Sequence, residues 1–132
     1  MTAKKCTAVL FVAEIEPVVA FWERLGFAKT VEVPHGDKLG FVMLQNGPVE
    51  LMYQTYASGE GDIAAMAADF RRGPTFLYLE VENLEEPLAA LKDTPKAFDT
   101  RTTFYGSREF GVRDPGGHYV TFAQMAAASG GN

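Results

Sequence analysis

Apolar and polar positions alternate along the chain in two repeated sets. Residues 6–12 form an unbroken run of apolar and β-forming side chains, the pattern of a buried strand. Glu14-Ile15-Glu16-Pro17 follows. Carboxylates favour the positive end of a helix and proline needs no N–H partner there, so these residues suit a first helical turn. Val18, Phe21, Trp22 and Leu25 then recur at i, i+3, i+4 and i+7, which predicts one buried helix face with Trp22 in the core. Gly26 stands where a left-handed C-terminal cap belongs. Three further strands are expected over 27–33, 39–45 and 49–54. They are separated by the turn-forming Pro34-His35-Gly36-Asp37 and Asn46-Gly47-Pro48. The order is β-α-β-β-β.

The same order then begins again. Residues 75–81 alternate Leu77, Leu79 and Val81 with Phe76, Tyr78 and Glu80. Asn83 to Pro87 opens a second helix with Leu84, Leu88 and Leu91 on one face, and strands are expected over 96–105, 108–113 and 118–123. Asp114-Pro115-Gly116-Gly117 makes the last tight turn, and Val12-Ala13-Glu14-Ile15-Glu16 aligns with Val81-Glu82-Asn83-Leu84-Glu85. The repeated order identifies an internal duplication of two βαβββ modules. Module 1 covers about 6–54 and module 2 about 75–124, within one domain over 1–132. A connecting helix spans about 60–72, with Asp62 as its cap and Gly73-Pro74 as its stop. Packing over a sheet edge is its expected role, with a lid or a dimer contact as alternatives. The small, polar tail 126–132 is expected to fray.

Composition narrows the function classes. Apolar residues make up 47% and charged ones 22%, which excludes wholesale disorder. Twelve Lys+Arg stand against 17 Asp+Glu, a net charge of −5 that argues against a nucleic-acid partner and leaves room for a cationic ligand. No apolar run approaches the ~20 residues of a membrane helix and no basic leader is evident, so no membrane association and a cytoplasmic location are expected. The lone Cys6 excludes an intramolecular disulfide framework and a cysteine zinc cluster; at a strand start it is expected to be a buried small hydrophobe.

Two stretches carry a recognisable pattern: the helix end Ala20-Phe21-Trp22-Glu23-Arg24-Leu25-Gly26-Phe27, and Tyr105-Gly106-Ser107-Arg108-Glu109-Phe110 leading to Asp114-Pro115-Gly116-Gly117-His118. With the duplicated βαβββ order, the chain resembles the glyoxalase/bleomycin-resistance/extradiol-dioxygenase (vicinal oxygen chelate) superfamily over about 6–124. The resemblance implies an α+β fold in which two tandem modules form a cup-like β-sheet with helices on the outer face. It also implies a homodimer. Metal-dependent members take ligands from the first and last strand of each module, positions that fall here on Thr7, Glu50, Phe76 and Thr121. Only Glu50 is a competent ligand, so no metal and no cofactor are expected. That absence points to the bleomycin-resistance branch, whose Trp-Gly-x-Arg-Glu-Phe stretch Tyr105 to Phe110 resembles with Tyr in place of Trp.

Side chains alternate across a strand, which assigns faces. If Leu77, Leu79 and Val81 face the helix, then Phe76, Tyr78 and Glu80 face the concave side. Thr7, Val9 and Phe11 share a face, as do Glu50, Met52 and Gln54. Glu109, Gly111 and Arg113 oppose Phe110 and Val112, and Tyr119 and Thr121 oppose Val120 and Phe122. The candidate ligand-binding residues are therefore Glu50, Met52, Phe76, Tyr78, Glu80, Tyr105, Glu109 and Tyr119, an apolar and aromatic lining with a few acids. Each has a plainer alternative: the rings fill the barrel, and the acids pair with Arg101, Arg108 or Arg113. Arg71 and Arg72 read as a solvated helix end, and Ser107 has no histidine near it in sequence to form a triad.

The expected function is metal-independent sequestration of a small planar aromatic, partly cationic molecule, with no catalytic residues. The alternative is a glyoxalase-like lyase or isomerase, or another small-molecule enzyme with or without a divalent metal, using Glu50 or Glu109 as general base. A third reading is a module that binds a protein partner.

Overall fold

The computed structural model describes residues 1–126; of the tail expected to fray, 127–132 lie outside the described residues. The chain divides at Gly73/Pro74 into two compact units.

In the first unit, β1 (Ala8–Val12) leads into α1 (Glu16–Glu23), then β2 (Ala28–His35), β3 (Lys38–Asn46) and β4 (Val49–Thr55). The sheet order is β1-β4-β3-β2, with β1 parallel to β4 and the other pairs antiparallel. Its core holds Leu10, Val12, Val42, Leu44, Leu51 and Tyr53 from the sheet, with Val18, Phe21 and Trp22 from α1. The Trp22 indole N–H donates to Tyr53 Oη at 2.9 Å, tying helix to sheet inside that core. Gly26 ends the helical segment at φ 85°, and the Phe27 N–H returns to Trp22 O at 3.1 Å, as a left-handed C-terminal cap requires. Glu16, in the first turn of α1, accepts a hydrogen bond from the Leu39 backbone N–H at 2.9 Å. That bond, which favours the anion, holds the Glu16 carboxyl below its ordinary value.

The connecting segment departs from expectation. An α-helix, α2, runs over Tyr56–Asp62, and a 3-10 turn covers Ala64–Asp69. Thr55, not Asp62, is the cap: its Oγ1 accepts from the Ser58 N–H at 3.2 Å, and Asp62 ends the helix. Ile63, at φ −130° and ψ 81°, is non-helical and breaks the run that the alanines would otherwise continue. The segment lies against edge strand β1 and its neighbour β4. Phe70 stacks on Phe11 with ring centroids 4.0 Å apart, and Gln54 Nε2 donates to Ser58 Oγ. Gly59 permits this approach, since a Cβ there would sit 2.8 Å from the Phe11 ring and 2.9 Å from the Phe70 ring. Arg71 and Arg72 are exposed and pair with Glu60 and Asp69.

The second unit repeats the plan. β5 (Phe76–Glu80) leads to α3 (Glu85–Ala90), then β6 (Lys96–Thr102), β7 (Arg108–Arg113) and β8 (Tyr119–Gln124). The order β5-β8-β7-β6, with β5 parallel to β8, copies the connectivity of the first sheet strand for strand. Leu84, Leu91, Phe110, Val112, Val120 and Phe122 form its core. Asp114 Oδ1 accepts from the N–H groups of Gly116 and His118 and so closes the last turn.

Two further expectations are corrected. Cys6 is exposed, because β1 begins only at Ala8 and the residues before it lie outside the sheet. The strand expected over 96–105 stops at Thr102; Thr103 to Ser107 close a tight turn, with the Thr103 N–H on Ser107 O at 2.8 Å, and this turn carries Tyr105. Among the described residues no helix is long and apolar enough to cross a membrane.

Candidate functional site

Each sheet has one parity of side chains in the core and one on the opposite face, and the candidate residues on strands lie on the second; Tyr105 lies on the turn after β6. In the second unit, strand register lines them up in rows. Phe76 pairs with Tyr119, which pairs with Arg113; Tyr78 pairs with Thr121, then Gly111, then Phe98; Glu80 pairs with Ala123, then Glu109, then Arg101. The opposite parity carries Phe110, Val112, Val120 and Phe122, all buried.

The rings of this face are open to solvent. Phe76 is 74% exposed, Tyr105 54% and Tyr78 50%. Phe76 stacks on Tyr119 at 5.1 Å and 11°, and the Arg113 guanidinium lies 5.0 Å from the Tyr119 ring centre. Arg113 Nε also donates to Gly117 O, which fixes the guanidinium over that ring. Gly111 leaves room for the Phe98 ring, which a Cβ at that position would strike.

At the other end of the face, Glu109 is 1% exposed and gathers donors from four side chains. Its Oε2 accepts the hydroxyl protons of Tyr78 at 2.5 Å, Tyr105 at 2.9 Å and Ser107 at 3.2 Å. Its Oε1 accepts from Arg101 Nη2 at 3.1 Å and Nε at 3.3 Å. Hydrogen bonds to the anion, that of Tyr78 foremost, hold the Glu109 carboxyl below its ordinary range despite the opposing effect of burial. The same bond pushes the Tyr78 phenol up, since losing its proton would set two negative charges side by side. Glu109 is thus an ionised, fully engaged acceptor. Sequence reasoning offered Arg101 only as one of several possible partners. It lies on β6, whose register shifts break simple alternation.

The first unit carries a second such face. Val9 pairs with Met52 and Phe11 with Gln54, and Thr7 Oγ1 donates to Glu50 Oε1 at 3.1 Å, so the two predicted sets share one side of the sheet. Met43, Phe41, Val31 and Val33 extend it across β3 and β2. Lys5 Nζ lies 2.7 Å from Glu50 Oε1 and, together with Thr7, lowers the Glu50 carboxyl's affinity for a proton. Lys5 precedes the first strand and carried no signal in the hydrophobic pattern. Of the three carboxylates proposed to meet a cationic ligand, Glu50 and Glu109 therefore already have cationic partners, while Glu80 is exposed.

The chain matches the model of the Glyoxalase/Bleomycin resistance protein/Dioxygenase superfamily over residues 6–122. Among solved structures it is similar to TioX from Micromonospora sp. ML1, with a TM-score of 0.76 and 16% identity over 94% of this chain and 100% of that one. It is also similar to a lactoylglutathione lyase from Agrobacterium tumefaciens, with a TM-score of 0.74 and 14% identity over 94% and 95% of the two chains. A bleomycin resistance determinant encoded on the transposon Tn5 aligns with a TM-score of 0.65 and 18% identity over 95% and 100%. Comparison with curated proteins finds no match.

The donor set does not fit the divalent ion that this fold holds in metal-dependent relatives. At the implied positions, Phe76 offers no donor atom, Thr7 spends its hydroxyl proton on Glu50, and Glu50 already carries Lys5 as counter-ion. Among the described residues no three His, Cys, Asp or Glu side chains converge elsewhere.

Proposed function

Because the chain belongs to the glyoxalase/bleomycin resistance protein/dioxygenase superfamily, we propose that it binds and sequesters a small planar aromatic molecule without a metal, acting in the cytoplasm as a homodimer. The observation that carries this reading is the open aromatic surface of the second unit, where Phe76 and Tyr78 on β5 and Tyr105 on the neighbouring turn present their rings to solvent and Tyr119, half-buried, backs Phe76. Exposed rings of this size on one sheet face mark a surface meant to be covered. Stacking on them adds about 0.5–1.5 kcal/mol per contact beyond area burial. The likeness to a bleomycin resistance determinant supports the same class. General-base catalysis by Glu50 or Glu109 calls for a carboxyl raised toward neutrality, whereas both are held low by their partners.

The partly cationic character of the ligand now rests on Glu80. A thermal-shift screen tests it: planar aromatic cations should stabilise the protein more than phosphates or simple carboxylates do. Glu80→Gln should weaken their binding and make it less sensitive to salt. Zinc, nickel, manganese or iron should leave the melting temperature unchanged, where a specific site at 100 times its Kd would add about 2.7 kcal/mol. Anionic metabolites as the best stabilisers would overturn the charge assignment, and a metal-dependent rise lost in Glu50→Ala would overturn the metal-free reading.

A homodimer gives the free edges of the four-stranded sheets a partner to pair with. Light scattering at micromolar concentration should return twice the chain mass of 14.4 kDa. A monomer throughout that range would refute it.

A further inference from the structure

We propose that Tyr78 and Tyr105 meet the ligand as hydrogen-bond acceptors, so that the second unit's face selects aromatic molecules bearing an N–H or O–H donor. This rests on the aromatic-ligand reading above and gives that ligand a chemical class. A phenol has one proton to donate, and both tyrosines spend theirs on Glu109 Oε2, at 2.5 and 2.9 Å. Each phenolic oxygen has two lone pairs after that donation; the Tyr78 hydroxyl also lies in hydrogen-bonding reach of Tyr105 and Ser107, which makes Tyr105 the more open acceptor of the two. Glu109 itself is 1% exposed and out of a ligand's reach, whereas Tyr78 and Tyr105 are half exposed. A hydroxyl that donates to an anion becomes a better acceptor, because the two bonds polarise each other. The charge of Glu109 is thereby passed outward through two phenol oxygens.

The other contacts keep this polarity fixed. Arg101 occupies Oε1 and holds the carboxylate ionised, and Ser107, fully buried, supplies a third hydroxyl to Oε2. With those donors in place, neither tyrosine can turn its proton toward a ligand without giving up a charge-assisted bond. An ether or ketone laid over the rings gains stacking alone. A phenol, amine or ammonium of the same shape gains stacking and a hydrogen bond.

Naphthol and methoxynaphthalene separate these cases, since they share a ring system and differ in one donor. Ligand-observed NMR titrations should show naphthol binding about three- to tenfold more tightly to the wild-type protein, the range one net hydrogen bond supplies. In Tyr105→Phe that ratio should shrink, and in Tyr78→Phe/Tyr105→Phe it should vanish. Tyr105 sits in a surface turn, so the single variant tests the proposal even where the double one does not fold. Equal affinities in the wild type, or a preference that survives Tyr105→Phe undiminished, would overturn the acceptor assignment and leave the aromatic reading standing. Failure of both probes to bind would overturn the aromatic reading itself.

Discussion

Trp22→Ala should destabilise the first unit by about 3–5 kcal/mol, the usual cost of deleting a large buried ring. The indole is fully buried and meets Phe21 and Phe27 edge-on, with centroids 5.3 and 4.7 Å away. Its neighbours in the core, Phe21, Phe27, Val18 and Val19, are themselves buried, which limits how far they collapse into the space it leaves. The substitution also removes the donor that Tyr53 Oη receives from α1. Against a total stability of about 5–15 kcal/mol, a loss of that size leaves a marginal unit. Trp22→Phe keeps an aromatic ring but not the N–H, and should cost less than Trp22→Ala. Urea unfolding followed by near-ultraviolet circular dichroism measures both. A shift below about 1 kcal/mol for Trp22→Ala would mean that the core repacks around the gap, contrary to the packing described.

The burial of Trp22 is legible in the sequence, and the reason is physical. Helix periodicity is set by local geometry, so Val18, Phe21, Trp22 and Leu25 marked a buried face whatever the rest of the chain did. Period two worked equally well in the second unit, where Phe110, Val112, Val120 and Phe122 pointed to the core and left Phe76, Tyr78, Glu109 and Tyr119 on the other side. The Asp114 to Gly117 turn and the Gly26 cap were readable because each depends on one residue's own stereochemistry.

What escaped were partners distant in sequence and positions beyond the ends of elements. Tyr53 as the acceptor for Trp22 depends on how α1 packs on the sheet, Lys5 as the counter-ion of Glu50 on the path of the chain before β1, and Arg101 as the one of three candidate arginines that meets Glu109 on register between strands. Local propensity does not encode register, and the bulges in β6 shift it further. Cys6 was misplaced for a related reason: an apolar run marks a strand but not where its pairing begins. The connecting segment misled because alanine-rich sequence favours helix wherever it stands, while a single cap at Thr55 decided where the helix started. The acids of the face suffered most from this. The sequence leaves these acids two fates, a cationic ligand or an arginine partner, and two of the three are paired within the chain, Glu109 with Arg101 and Glu50 with a lysine outside the candidate set.

The pairing of Glu109 sets up the second large effect, one with a signature in pH. Glu109→Gln keeps the size of the side chain but removes the charge and turns one of the two acceptor ends into a donor. Facing Tyr78, Tyr105, Ser107 and Arg101, an amide cannot satisfy them all. Charge-assisted bonds are worth about 1.5–3 kcal/mol each and are not additive, so a loss of about 2–4 kcal/mol at neutral pH is expected. Part of it is recoverable, because Arg101 and the two tyrosines are open enough to turn to water, whereas Ser107 is not. The sign of the pH dependence follows from linkage. Glu109 binds its proton more weakly in the folded chain than in the unfolded one. Its contribution is therefore complete above the unfolded value of about 4.3, and it is lost as the pH falls from there through the lowered folded value. Glu16 and Glu50 are lowered too, so the wild-type protein weakens in acid for several reasons at once. Comparison of two proteins differing only at 109 isolates one of them. Urea midpoints measured at successive pH values should show a wide gap between wild type and Glu109→Gln at neutrality that narrows steadily below about pH 4. A gap that stays constant into acid would show that the carboxylate's charge contributes nothing. The tyrosines would then be held by packing alone, and their oxygens would lose the polarisation on which donor selection depends.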